Sequence, residues 1–300
     1  MCRAIELLET YVSEIPPRLG PSLVNEHSGN FAFGLENSAR PLLCAPSSIK
    51  EIPIWAKEKR TTLYDAKRRF VASVILFAVA SDSVLSATLA SRGSFAMELF
   101  YGCPRRAQDL DFVSLPHANA KSLMPTLPAL LDRMSRAIGR AFPMAVPGPH
   151  GMAVIAGTAI RFEISPSRIK RPVWPVALHR KDRPILQVFY LEDLIAEKLE
   201  ALLASRDRRR KPRPQDVYDI AWTVMARRDV LSSALVAQLL KDRLCVETYK
   251  RIVTTMDTPL RERQREAYEK LIPLATRYPI PFRDAWEAVA AFFQTIVESL

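Results

Sequence analysis

Residues 93–114, GSFAMELFYGCPRRAQDLDFVS, constrain the fold of this chain more than any other stretch. Residues 84–90 before them are mostly apolar, Gly93 and Ser94 stand at the mouth of a turn, and residues 95–100 favour a helix. The order is therefore strand, turn, helix. A Gly-Ser pair opening a helix offers backbone N–H groups, a hydroxyl and the positive end of the helix dipole to a phosphate. Asp109-Leu110-Asp111-Phe112-Val113 then reads as a short strand. Carboxylates at i and i+2 of a strand point to one face. Two such charges side by side call for a cation, and a divalent metal is the usual one. A metal held there could bind an NTP and activate an attacking oxygen. An isolated Asp-x-Asp also fits a solvated strand edge.

The formal net charge of +11 over 300 residues points to a polyanionic partner, most simply nucleic acid. The four cysteines, Cys2, Cys44, Cys103 and Cys245, form no C-x-x-C pair. That spacing argues against a disulfide framework or a zinc site and fits a reducing cytoplasm. The longest apolar run, residues 70–80, is too short to span a bilayer and lies too far inside the chain for a signal peptide, so no membrane is expected.

Residues 1–60 open with a possible helix over 5–14 and turn irregular at Pro16, Pro17, Pro21, Pro41, Pro46 and Pro53. They read as an N-terminal extension without recognisable chemistry. A helix over about 62–80 would cover one side of a sheet that starts near Val84, and a further helix is expected before Phe142. Residues 152–156 and 159–164, split by Gly157 and Thr158, read as a hairpin, with Arg161 and Glu163 opposite Ile160, Phe162 and Ile164. Another strand falls within 184–189, and from Leu191 onward every pattern is helical. Three segments result: the extension (1–60), a sheet-bearing core (61–190) and a helical C-terminal lobe (191–300).

On a wheel of the helix from Leu191 to Ser205, Leu191, Leu194, Ile195, Leu199 and Leu202 form one apolar face, and Lys198 lies inside it. A buried ammonium is costly unless paired, so Lys198 should reach a carboxylate or a phosphate; the alternative is a side chain that snorkels to solvent. Arg206 falls toward the same face. Asp216 and Asp219, at i and i+3, share a helix face, and Asp216 could equally be an N-cap after Pro214. The run at 206–213 is strongly basic, which suits a phosphate backbone as well as a solvated loop.

These motifs together resemble the DNA polymerase β-type nucleotidyltransferases, and most closely the AbiEii/MenT group of toxin nucleotidyltransferases. The resemblance rests on Gly93, Ser94, Ala96, Leu99, Tyr101, Gly102, Arg106, Asp109, Leu110, Asp111 and Phe112, and on LEDLIAEKLEALLASR followed by KPRPQDVYDI. It covers about residues 85–225. Arg92 stands where many relatives carry a glycine, and Gln215 where an arginine is usual.

The resemblance implies an α/β (α+β) protein: a polymerase β-like mixed sheet with flanking helices, then a helical lobe, with the site in the cleft between them. It implies transfer of nucleotides from an NTP to RNA, in the MenT-like branch the 3′ end of tRNA, blocking translation. Asp109 and Asp111 would hold Mg²⁺ or Mn²⁺, with Glu163 as a third carboxylate. Gly93 and Ser94 would cradle the phosphates, Lys198 would neutralise triphosphate charge with Arg206 assisting, and Asp219 or Asp216 would position Lys198 or the acceptor. The protein would act as a cytoplasmic monomer with a cognate antitoxin. Transfer to a protein or a small molecule, or an inactive RNA-binding module, are the alternatives.

Overall fold

The structure, a computed structural model, describes residues 49–115, 144–145, 150–155, 158–166, 173–177, 185–207, 209–228, 230–244, 258–276 and 278–299, with Pro46, Leu123 and Ala129 as single positions. The helices expected over 5–14 and before Phe142 lie outside them, apart from those last two single positions. The chain forms two compact units. One takes in the described residues up to Phe100 together with Gln108–Val188; the other takes in Tyr101–Ala107 and Phe189–Leu300.

The first unit is built on a mixed sheet. Its strands among the described residues are β1 (Leu89–Arg92), β2 (Asp109–Ser114), β3 (Met144–Ala145), β4 (His150–Ile155), β5 (Thr158–Pro166), β6 (Trp174–Ala177) and β7 (Ile185–Val188). Their order in the sheet is β3-β4-β5-β2-β1-β7-β6, which places β2 at the centre. It pairs antiparallel with β1 and parallel with β5, and the expected hairpin is the antiparallel pair β4–β5.

Strand alternation settles which face is dry. Leu110 and Phe112 of β2, with Ile160, Phe162 and Ile164 of β5, are buried, while the residues between them are more open. Helix α1 (Ile52–Glu58) packs on α2 (Leu63–Ser81), which packs on β5 and β7. Thr62 caps α2, its hydroxyl accepting from Asp65 N at 3.0 Å.

Two local expectations are corrected. Residues 84–88 are helical: α3 (Ser83–Thr88) is opened by Asp82, whose side chain accepts from Val84 N and Leu85 N, and β1 begins only at Leu89. A strong N-cap overrides the apolar run that follows it. Pro53 does not break the chain but sits in the first turn of α1, where its missing N–H costs nothing.

At the end of β1 the backbone turns through Gly93, at φ +71°, into α4 (Gly93–Phe100). A Cβ there would stand 2.2 Å from Asp111 Oδ2, so only glycine lets the turn pass the β2 carboxylate.

Among its described residues the second unit is helical beyond Val188, as expected: α5 (Leu191–Ala204), α6 (Pro214–Ala226), α7 (Ser233–Arg243), α8 (Thr258–Ala275) and α9 (Phe282–Glu298). Helix α6 packs against α5, α8 and α9. Val217, Tyr218, Ile220, Val289, Phe293 and Ile296 supply much of that core.

Replacing Gly93 by Ala should cost about 1–3 kcal/mol through the left-handed backbone and drive the Asp111 carboxylate from its position. A lowered urea midpoint at unchanged slope checks the first effect, and a crystal structure of the variant checks the second.

Candidate active site

The first unit presents a polar sheet face. Alternation puts Asp109 and Asp111 on one side of β2. The parallel register sets Arg161 beside Asp109 and Glu163 beside Asp111, and the antiparallel register sets Arg92 beside Asp111. Arg161 Nη2 lies 2.8 Å from Asp109 Oδ2, the two side chains being 51% and 36% exposed. Arg92 Nη2 donates to Ser165 Oγ at 2.7 Å. Ser94 is the second residue of α4, half-buried at its N-terminus.

Glu163 is thus a neighbour of Asp111 in the sheet, while Arg161, two residues before it on β5, is bonded to Asp109. Among the described residues, no three His, Cys, Asp or Glu side chains converge closely enough to hold a metal ion. The donor chemistry of the pair still fits Mg²⁺, which needs only one or two carboxylates beside waters and substrate phosphates. The ion pair on Asp109 is no obstacle, because an exposed pair is worth about 0–1 kcal/mol.

The second unit buries a charged cluster. Lys198 on α5 does not snorkel: it is 6% exposed, with Nζ 3.0 Å from Asp216 Oδ1 and 2.7 Å from Asp219 Oδ2. Asp219, wholly buried, accepts from Arg105 Nε on Oδ1 and from Arg105 Nη2 on Oδ2, each at 2.6 Å. Asp216 is not the N-cap of α6, which is Arg213; its Oδ2 accepts from Arg213 Nε at 2.7 Å. Three cations therefore surround two carboxylates.

Burial alone would push the Asp219 carboxyl upward, but Arg105 and then Lys198 outweigh it and hold it well below the usual carboxylate range. Burial likewise works against the charged form of Lys198, yet Asp219 and Asp216 raise its pKa, so it stays an ammonium. Cys103 Sγ lies 3.6 Å from Asp219 Oδ1, and burial followed by that carboxylate pushes the thiol up, leaving it neutral.

Arg105 arrives on the segment Tyr101–Ala107, tied into the second unit at several points. Tyr101 Oη donates to Phe189 O at 2.7 Å, Arg106 N to Ala275 O at 2.9 Å, and Thr276 Oγ1 to Pro104 O at 3.2 Å. Sequence reasoning singled out Arg106 and passed over Arg105, Cys103 and Arg213. The available signal was period two: Tyr101, Cys103, Arg105 and Ala107 are buried, while Gly102, Pro104, Arg106 and Gln108 are not. Arg206 is exposed just beyond α5.

The mixed sheet carrying an Asp-x-Asp pair beside a glycine turn, followed by a helical unit with a buried lysine, is the architecture of a nucleotidyltransferase. Residues 74–294 match the model of the nucleotidyl transferase AbiEii toxins of type IV toxin–antitoxin systems, and the chain belongs to that family. Among solved structures it is similar to JHP933 from Helicobacter pylori (16% identity, TM-score 0.49, covering 79% of this chain and 93% of that one). It is also similar to a second H. pylori protein, described as a candidate nucleotidyltransferase (16% identity, TM-score 0.48, covering 78% and 95%). No curated protein matches significantly. No helix among the described residues is long and apolar enough to cross a membrane.

Changing Asp219 to Asn leaves two buried cations short of counter-charge and should cost about 3–5 kcal/mol at pH 7. Because the folded pKa is depressed, this stabilisation is present above the ordinary carboxylate value of about 3.9 and is lost as pH falls through the folded value. The gap between wild type and variant should therefore narrow between pH 5 and acid in urea titrations. A gap independent of pH would contradict the ionised assignment.

Proposed function

We propose that this chain transfers a nucleotidyl group from an NTP to RNA, with the 3′ end of tRNA as acceptor, and so blocks aminoacylation and translation. Family membership carries with it the toxin class, an antitoxin partner and an NTP substrate. The observation that carries the chemistry is the Asp109–Asp111 pair, half-exposed on the central strand with Asp111 directly against the Gly93 turn.

In this reading the two aspartates hold Mg²⁺ (or Mn²⁺), and Glu163, the sheet neighbour of Asp111, would have to swing toward them to serve as third carboxylate. A bound divalent ion would polarise the α-phosphate and lower the pKa of a coordinated hydroxyl. The acceptor 3′-oxygen attacks the α-phosphorus, its proton passes to water or a carboxylate, and the bond to the β-phosphate breaks to release pyrophosphate. Gly93 and Ser94 receive the phosphates at the N-terminus of α4. Lys198 answers triphosphate charge, held in place by Asp216 and Asp219, and Arg206 assists. The Lys198 cluster carries one positive charge in excess of its carboxylates, which suits a polyanionic substrate. Arg105 is a positioning residue, since it fixes both oxygens of Asp219. The enzyme acts as a monomer in the cytoplasm.

Incubating purified protein with total tRNA, Mg²⁺ and each α-³²P-labelled NTP should place label on tRNA. Periodate oxidation of the 3′-terminal ribose should abolish it. Label on the protein would move the acceptor to a hydroxyl of the polypeptide. Absence of label from every nucleotide would leave an inactive RNA-binding module, and either result contradicts the reading.

A further inference from the structure

The loop joining α5 to α6, residues 205–213, exposes Arg206, Arg209, Arg210, Lys211 and Arg213 around a single described acid, Asp207. Clustered like charge opposes any fixed conformation, yet the described residues of this loop are held by hydrogen bonds. From α8, Arg263 Nη1 donates to the carbonyls of Ser205 and Asp207, and Nη2 to that of Arg210. Gln264, wholly buried, accepts from Arg213 N at 2.8 Å and donates to Ser205 Oγ at 2.8 Å. Asp207 accepts from Arg209 N at 2.9 Å.

A further cation, Arg263, is thus spent on folding a cationic loop, which adds to the positive field instead of relieving it. Arginine carbonyl clamps and a buried glutamine hold the backbone while the side chains of Arg209, Arg210 and Lys211 remain in solvent. The last arginine of the loop returns to Asp216, the same carboxylate that holds Lys198. The loop is therefore physically continuous with the cluster assigned to the nucleotide.

We propose that residues 205–207 and 209–213 form a preorganised docking surface for the phosphate backbone of the RNA acceptor, with Arg209, Arg210 and Lys211 as the phosphate-contacting cations. The proposal rests on the RNA-acceptor reading above and names the surface that such an acceptor would use. The net charge of +11 supplies general attraction to polyanions, and the loop concentrates it where a strand can be held in register.

The test is fluorescence anisotropy of labelled tRNA against full-length protein over 50–200 mM KCl. Two variants of equal net charge are compared: R209A/R210A/K211A, and R265A/K270A/R283A, whose exposed cations lie on α8 and α9. The loop variant should bind tRNA about tenfold more weakly at 100 mM salt, and its log–log salt slope should fall by about 2, near 0.7 for each phosphate left without its cation. The control variant should bind within about twofold of wild type, and both should keep the wild-type melting temperature, since none of these side chains is buried.

Equal weakening by both variants would reduce the effect to net charge and overturn the proposal. So would undiminished binding by the loop variant, or no tRNA binding by wild type. Wild type that binds tRNA through the loop but labels no RNA would defeat the transfer reading alone. Labelling of tRNA with unchanged KM in the loop variant would defeat the docking surface alone.

Discussion

The second unit depends on one electrostatic constraint: the Asp219 carboxylate, with no exposed surface, is balanced by Arg105 on both oxygens and by Lys198 on one of them. Charge in so dry a setting is stable only when every partner is in place. The constraint ties three pieces of chain, α5, α6 and Tyr101–Ala107, to one point. Apolar side chains of similar volume would pack the same space without the desolvation cost. A cluster of five charged groups at that position therefore argues for use of its field and its fixed geometry.

The first unit manages charge in the opposite way. Its carboxylates stand on a half-open sheet face, and the ion pair between Arg161 and Asp109 lies in solvent, where water screens it. Such a pair exchanges partners at little cost, which suits the cation-binding role proposed for this face. What is rigid there is the backbone: the sheet register fixes Asp111 between Arg92 and Glu163, and the Gly93 turn closes against it. One unit holds its charges in a buried, paired cluster, and the other carries them half-exposed on a sheet face.

Much of this was legible in the sequence because it rests on local periodicity. Alternation in DLDFV and in residues 159–164 gives β2 and β5, and the wheel that trapped Lys198 among leucines requires the buried anions that Asp216 and Asp219 supply. The departures have equally local causes. Asp82 turned an apolar run into α3, and Pro53 fitted the first turn of a helix instead of ending one. Arg105 was overlooked for a different reason. Its partner is 114 residues away, and no pattern within the segment distinguishes it from Arg106 except an alternation read only once the buried face is known. Long-range pairing of charges leaves little trace in sequence spacing, whereas the faces of strands and helices leave a strong one.

The central claim, that the β2 carboxylates and Lys198 serve a metal-bound nucleotide, is tested most directly by calorimetric titration of NTP into the protein with and without Mg²⁺, beside Asp111→Asn and Lys198→Ala. The account requires tight binding by wild type only in the presence of Mg²⁺, loss of the metal dependence in Asp111→Asn, and weakened binding in Lys198→Ala with metal still needed. Binding of equal strength with and without Mg²⁺, or unchanged in Asp111→Asn, would contradict it.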